Sequence, residues 1–200
     1  MAGQFSGHRI KSFKFGTGTY ADGNGNIVYD VTEVLDMPSP LSAEQVDVIV
    51  GKIVHESGHI KVESANTRHT NLYKGEGEDA PLSYYELTSL GEEVYTDNYV
   101  YRNMGKVAPE YLRRARVKSI DLSTEPEGIY NMLLVQHVYG GKPSAESMST
   151  LQNMELTIYS IANAMLTKVA SQDLFSRDRR DLYARTWQAI GALISSLVQQ

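Results

Sequence analysis

The strongest constraint on the fold is an apolar run at helical spacing that ends in two histidines four positions apart. Within residues 43–59, apolar side chains recur every three or four positions, which predicts a helix with one buried face; these are Val46, Ile49, Val50, Ile53 and Val54. Ser42 and Gln45 just before this stretch predict a capping box that begins the helix. The run H-E-S-G-H at 55–59 is therefore expected in the last turns of the helix.

The spacing of this run is typical of a metal-binding helix. His55 and His59 are four residues apart, so both rings project from one helix face and can offer nitrogens to a single metal ion. Glu56 lies about 100° round the helix from His55, where it can act on a metal-bound water as a general base without ligating the metal. Gly58 has no side chain, which would let another element approach the helix closely at that point. Two histidines do not complete a site, so a third ligand is required.

The run G-E-E-V-Y-T-D at 91–97 offers that ligand on a second predicted helix. Glu93 and Asp97 are four residues apart and share one face. In the pattern H-E-x-x-H followed by E-x-x-x-D, the glutamate ligates zinc and the aspartate accepts a hydrogen bond from a ligating histidine. We therefore predict Zn²⁺ bound by His55, His59 and Glu93, with Asp97 holding one of the histidines. Glu92 is the alternative third ligand, because the sequence leaves the helix phase uncertain by one residue.

Other candidate ligands are weaker. A metzincin would need Gly at position 62 and His at position 65, where this chain has Val62 and Ala65. His69 lies in a polar stretch predicted to be an exposed loop. His137 lies on an apolar helix, where a hydrogen-bonded core histidine is the expected state. A tyrosine could stabilise an oxyanion, the candidates being Tyr95, Tyr99 and Tyr139.

The remaining pattern predicts an α+β fold that is mainly α-helical, with a zincin-like helical core. Residues 10–35 predict an antiparallel β-hairpin around the turn D-G-N-G-N at 22–26. Residues 64–81 read as a loop, and helices are expected at 83–103, up to 117, and near 125–139, 146–170 and 178–198. The 200 residues suit a single domain. We expect a β-rich part over 1–40, metal-site helices over 41–117 and a helical C-terminal part over 118–200.

Composition narrows the classes of function. The chain has no cysteine, so a disulfide framework and thiolate ligands are excluded. No apolar stretch approaches the roughly 20 residues that cross a bilayer, and the N-terminus lacks signal-peptide features, which together predict a cytoplasmic protein without a membrane partner. Net charge is -5, and the basic clusters, R-R-A-R at 113–116 and R-D-R-R at 177–180, are short. Nucleic-acid binding is therefore not expected.

Three segments in order resemble a known family: A-D-G at 21–23, I-V-H-E-S-G-H-I at 53–60 and G-E-E-V-Y-T-D-N-Y at 91–99. They are similar to the metallopeptidase-like, gluzincin-like domain of phage and bacterial proteins related to the cobaltochelatase CobT-type subunit, which commonly precedes a von Willebrand A domain. The similarity covers roughly residues 15–117. It implies Zn²⁺, a peptide or protein substrate, an AAA+ ATPase or von Willebrand A-type partner, and the host cytoplasm if the protein is phage-encoded.

The resemblance also leaves an alternative, because members of this family need not be peptidases. The chain would then be a catalytically silent metal-binding or partner-binding module. Two stretches of the chain depart from the family pattern. The stretch S-L-G at 89–91 replaces an Asn-led start, and D-L-S-T-E at 121–125 lacks the last Ser of D-x-S-x-S. Alignment on the family's E-D pair favours Glu92 over Glu93 as its counterpart.

Overall fold

A computed structural model describes residues 10–35, 37–67, 80–118 and 125–198. Its strands are β1 (Ser12–Gly16), β2 (Tyr20–Ala21) and β3 (Asn26–Asp30). Its helices are α1 (Thr32–Leu35), α2 (Ala43–Lys61), α3 (Tyr84–Asn103), α4 (Val107–Lys118), α5 (Gly128–His137), α6 (Ala145–Ser149), α7 (Asn153–Ser171) and α8 (Ser176–Val198), with a 3₁₀ turn at Ser64–Thr67. The predicted class, α+β and mainly α-helical with a small N-terminal β-element, is confirmed. His69 and most of the segment at 121–125 lie outside the described residues.

The three strands form a mixed sheet in the order β1-β3-β2. The predicted antiparallel pairing of the two long strands was wrong, because β1 runs parallel to β3 and the short strand β2 is the antiparallel partner. Asp22 explains the difference. Its Oδ1 accepts the N–H groups of Asn24 at 2.9 Å and Asn26 at 2.8 Å, so the chain reverses directly after β2. The Ser12 hydroxyl donates to Asn26 Oδ1 at 2.8 Å, which joins the starts of β1 and β3 in parallel register.

The chain divides into two compact units, Met1–Asn66 with Thr96–Ile120 and Thr67–Tyr95 with Asp121–Gln200. The expectation of a single domain over 1–200 stays a prediction. In the first unit, α2 packs closely against α4. A Cβ on Gly51 would lie 2.2 Å from the Tyr111 carbonyl oxygen and 2.6 Å from Ala115 Cβ, so this approach requires glycine. The core beside it comprises Val50, Val54, Val100, Ala108 and Leu112.

The second unit is helical, and its core contains Leu87, Leu90, Met132, Leu133, Ile158, Leu166 and Ile190. The predicted helix over 146–170 is two helices. Ser144 caps α6, and a capping box between Gln152 and Glu155 begins α7 anew. None of the helices in the described ranges is long and apolar enough to cross a lipid bilayer.

Candidate metal centre

Helix α2 carries the two histidines as the sequence predicts. The capping box is confirmed: Gln45 N–H donates to Ser42 Oγ at 3.2 Å, and Ser42 N–H donates to Gln45 Oε1 at 2.8 Å. The helix then continues to Lys61, so the run at 55–59 occupies its last turns. His55 and Glu56 are buried, and His59 is half-buried. A rigid, capped helix therefore holds all three side chains.

The two imidazoles turn the same nitrogen towards each other. His55 Nε2 and His59 Nε2 are 2.9 Å apart, and the rings are nearly perpendicular at 83°. The opposite nitrogens bind the protein: His59 Nδ1 lies 2.9 Å from Ser64 Oγ and 3.0 Å from Thr96 Oγ1. An imidazole that donates its Nδ1 proton keeps a lone pair on Nε2. Two nitrogens on one tetrahedral zinc are about 3.3 Å apart, so a small opening of this pair suits a shared metal.

Asp97 on α3 holds His55 from behind. Its Oδ1 lies 2.7 Å from His55 Nδ1, and Arg116 on α4 donates to both of its oxygens, at 2.7 and 2.9 Å. Burial alone would raise the pKa of the Asp97 carboxyl, but the charge of Arg116, with His55 and the hydrogen bonds from both, holds this pKa below its ordinary value. Asp97 therefore stays ionised and favours the His55 tautomer that donates from Nδ1.

Glycine on α2 allows α3 to come this close. A Cβ on Gly58 would lie 2.7 Å from Thr96 Cγ2 and 3.0 Å from Val100 Cγ2. The close approach predicted at Gly58 is thus confirmed, and the element that approaches is α3. Contact at this point brings the Thr96 hydroxyl to His59 and the Asp97 carboxylate to His55.

Glu93 completes a group of three ligand-type side chains. It precedes Asp97 by one helical turn on the continuous helix α3, so both carboxylates leave the same face. His55, His59 and Glu93 each offer one ligand atom, and these atoms lie within 4.8 Å of one another. This group could hold a metal ion. Two nitrogens and one carboxylate oxygen form the donor set of catalytic zinc sites, which leave a fourth position for water.

Glu92, the alternative ligand, has a different environment. Arg179 on α8 donates from Nε to Glu92 Oε1 at 2.8 Å and from Nη2 to Oε2 at 3.0 Å, and the Tyr183 hydroxyl donates to Oε1 at 2.7 Å. Burial and the charge of Glu92 raise the pKa of Tyr183 well above its ordinary value, so its hydroxyl keeps the proton it donates. Both oxygens of Glu92 are thus engaged, and of the two adjacent acids it is Glu93 that joins the histidines.

Other candidates from the sequence lie elsewhere. His137 Nε2 is 2.7 Å from Asn163 Oδ1, and burial lowers the pKa of this half-buried histidine. The Tyr95 hydroxyl donates to the Leu174 carbonyl at 2.8 Å, which gives it a structural bond. Roles for Tyr99 and Tyr139 stay predictions.

Arg116 and Arg179 were not predicted as site residues, because in the sequence they stand out only as members of short basic clusters. The sequence did hold a signal for the close packing of α2 and α4, the contact that brings Arg116 to the site. Gly51 on α2 and Ala115 on α4 are small residues adjoining the site, and small residues on two helices favour close packing. For Arg179, 86 positions after Glu93, the sequence holds no comparable signal.

Comparison with protein-family models, with curated proteins and with solved structures finds no match. The description of this chain therefore comes from its own structure. It is an α+β protein in which His55, His59 and Glu93 form a group that could hold a metal ion.

Proposed function

We propose that the chain is a zinc-dependent peptide-bond hydrolase of the His₂Glu type. One observation carries this proposal: the ligand atoms of His55, His59 and Glu93 lie within 4.8 Å of one another. Zinc is the metal that this donor set suits best, because imidazole nitrogens and a carboxylate are its usual catalytic ligands.

A zinc ion held there would lower the pKa of a bound water towards about 7 and polarise a substrate carbonyl. Glu56 would act as the base. It adjoins His55 on the rigid helix α2 and is buried. Its carboxylate would take the proton of the attacking water and later deliver it to the leaving amine.

Asp97 and Arg116 would fix the tautomer and the orientation of the His55 imidazole. With Nδ1–H donated to Asp97, the lone pair of His55 stays on Nε2, on the side of His59. Arg116 binds both oxygens of Asp97 and thereby fixes the plane of the carboxylate. The imidazole is therefore oriented before any ligand arrives.

The alternative is a module that binds a metal or a partner without catalysis. One observation favours it: Arg116 Nη2 lies 3.3 Å from His55 Nε2, and a guanidinium beside a ligand nitrogen opposes binding of a cation. The resemblance to the cobaltochelatase CobT-type family supports the same alternative, with an AAA+ ATPase or a von Willebrand A-type protein as partner.

The Glu56→Gln variant separates these functions. We expect wild-type protein to retain stoichiometric zinc after dialysis and to cleave members of a quenched fluorescent peptide library. The variant should retain the zinc and lose turnover, because glutamine cannot accept the proton. His137→Ala is the matched control, since it removes a half-buried histidine outside the group, and it should keep both properties. Cleavage by Glu56→Gln at the wild-type rate would refute the mechanism, whereas zinc without any cleavage by wild type would favour the module.

A further inference from the structure

Two consecutive glutamates on α3 point to different partners. Glu92 is paired with Arg179 and Tyr183, and these three side chains are among the most buried polar groups of the described residues, at 6%, 1% and 0% exposure. Glu93 belongs to the candidate metal group. The cluster R-D-R-R at 177–180 thus supplies a buried arginine that contacts the neighbour of a proposed ligand.

The contacts of Arg179 are restrictive. Its guanidinium binds both oxygens of Glu92, donates from Nη1 to the Leu174 carbonyl at 2.9 Å and lies 4.0 Å from the centre of the Tyr95 ring. A two-pronged bond between guanidinium and carboxylate fixes orientation as well as distance. Leaving a buried carboxylate without its cation costs free energy, so the Arg179–Glu92 pair has no alternative arrangement of similar free energy.

Close packing restricts the same part of α3. A Cβ on Gly91 would lie 2.6 Å from the ring of Tyr183, so the α3 backbone lies directly against α8. Gly91, Glu92 and Tyr95 all leave one side of α3, and each contacts either Arg179 or Tyr183. Together these contacts resist rotation of α3 about its own axis.

Rotation of α3 about its axis would move the Glu93 carboxylate. Glu93 is about 100° round the helix from Glu92, on the side that also carries Asp97. Side-chain ends lie about 5–6 Å from a helix axis, so a roll of about 20° would move the Glu93 carboxylate by about 2 Å. Metal sites tolerate ligand displacements of only about 0.2 Å. The contacts that fix the rotation of α3 therefore also fix the position of the Glu93 carboxylate, the proposed third ligand.

We propose that Arg179 is a positioning residue for the metal centre: through Glu92 it sets the rotation of α3 and hence the direction of Glu93. This inference rests on the metal-binding part of the proposed function and is independent of peptide cleavage. Arg179 itself does not contact the metal. It acts through helix α3, and it also neutralises the buried charge of Glu92.

The test is titration of the full chain with Co²⁺, which reports affinity and, through its visible absorption bands, coordination. Arg179→Met should weaken Co²⁺ binding about tenfold or more and shift the bands towards those of Glu93→Gln. The matched control is Ile190→Ala, which creates a cavity in the same helix about 16 Å further along. This control should lose stability yet keep the wild-type affinity and bands.

Two milder variants keep the inference testable if Arg179→Met fails to fold. Arg179→Lys keeps the charge but not the two-pronged bond, so its affinity should fall between those of wild type and Arg179→Met. Tyr183→Phe removes one hydrogen bond to Glu92 and should weaken Co²⁺ binding by a smaller factor. Wild-type affinity and bands in both milder variants would overturn the inference while leaving the metal site intact. Absence of Co²⁺ binding by wild-type protein would instead contradict the metal site itself.

Discussion

Replacing Gly51 by alanine is expected to push α2 away from α4 and to loosen Arg116 from Asp97. The new Cβ would lie 2.2 Å from the Tyr111 carbonyl oxygen and 2.8 Å from its carbonyl carbon, so the obstacle is backbone. The shorter contact is about 1.2 Å below ordinary van der Waals separation, and rotamer changes cannot relieve it. Arg116 lies on α4 five positions after Tyr111, so a shift of this size would break its 2.7 Å bond to Asp97.

Two effects of opposite sign decide how Gly51→Ala changes the free energy of unfolding. Alanine favours a helix interior over glycine by about 1 kcal/mol. Overpacking costs about 1–3 kcal/mol, and the upper end applies here because a carbonyl group must move. We therefore expect a net loss of about 1–2 kcal/mol.

The control is Gly191→Ala in α8, where a Cβ meets nothing within 4 Å. That variant should gain about 0.5–1 kcal/mol, since only the helix preference applies. Urea unfolding of both variants gives the comparison, and zinc titration should show weaker binding by Gly51→Ala alone. Equal stabilisation of the two variants would refute the packing argument.

Two further predictions concern single side chains. Asp97→Asn should weaken zinc binding about tenfold or more in titrations against a competing chelator, because His55 and Arg116 lose a charged acceptor. Asp47→Asn, which removes an ion pair with Arg114 between α2 and α4, should leave the affinity unchanged, and equal losses would contradict the role of Asp97. Burial, and then the charge of Glu33, raises the pKa of Tyr29 from 10.0 to about 12, so the folded state holds this proton more tightly. The resulting stabilisation is complete below about pH 10 and is lost as the pH rises through about 12. Urea unfolding across this window should show a steeper loss for wild type than for Tyr29→Phe, and parallel losses would contradict the assignment.

The parts of the fold that the sequence predicted are those encoded locally. Helix α2 follows from apolar spacing and the Ser42–Gln45 capping box, both of which lie within one stretch of chain. The class of fold follows from several such helices. The pairing of β1 was mispredicted because a parallel partner depends on the path between strands, which here includes the short strand β2.

The candidate site divides in the same way. His55 with His59, and Glu93 with Asp97, are pairs at helical spacing, so their shared faces could be read from the sequence. The adjacent acids at 92 and 93 have different partners: Glu92 binds Arg179, which lies far along the chain on another helix, and Glu93 lies with the two histidines. Long-range ion pairs leave no local pattern, and only the packed structure assigns them.

X-ray absorption at the zinc edge, using wild-type protein loaded with zinc and dialysed, tests directly whether the two histidines bind the metal. We expect retained zinc with two imidazole nitrogens and carboxylate or water oxygens at about 2.0–2.1 Å. In His55→Ala the imidazole contribution should fall by half or the zinc should be lost. A wild-type protein that retains no zinc, or holds it without imidazole neighbours, would contradict a metal site at His55 and His59.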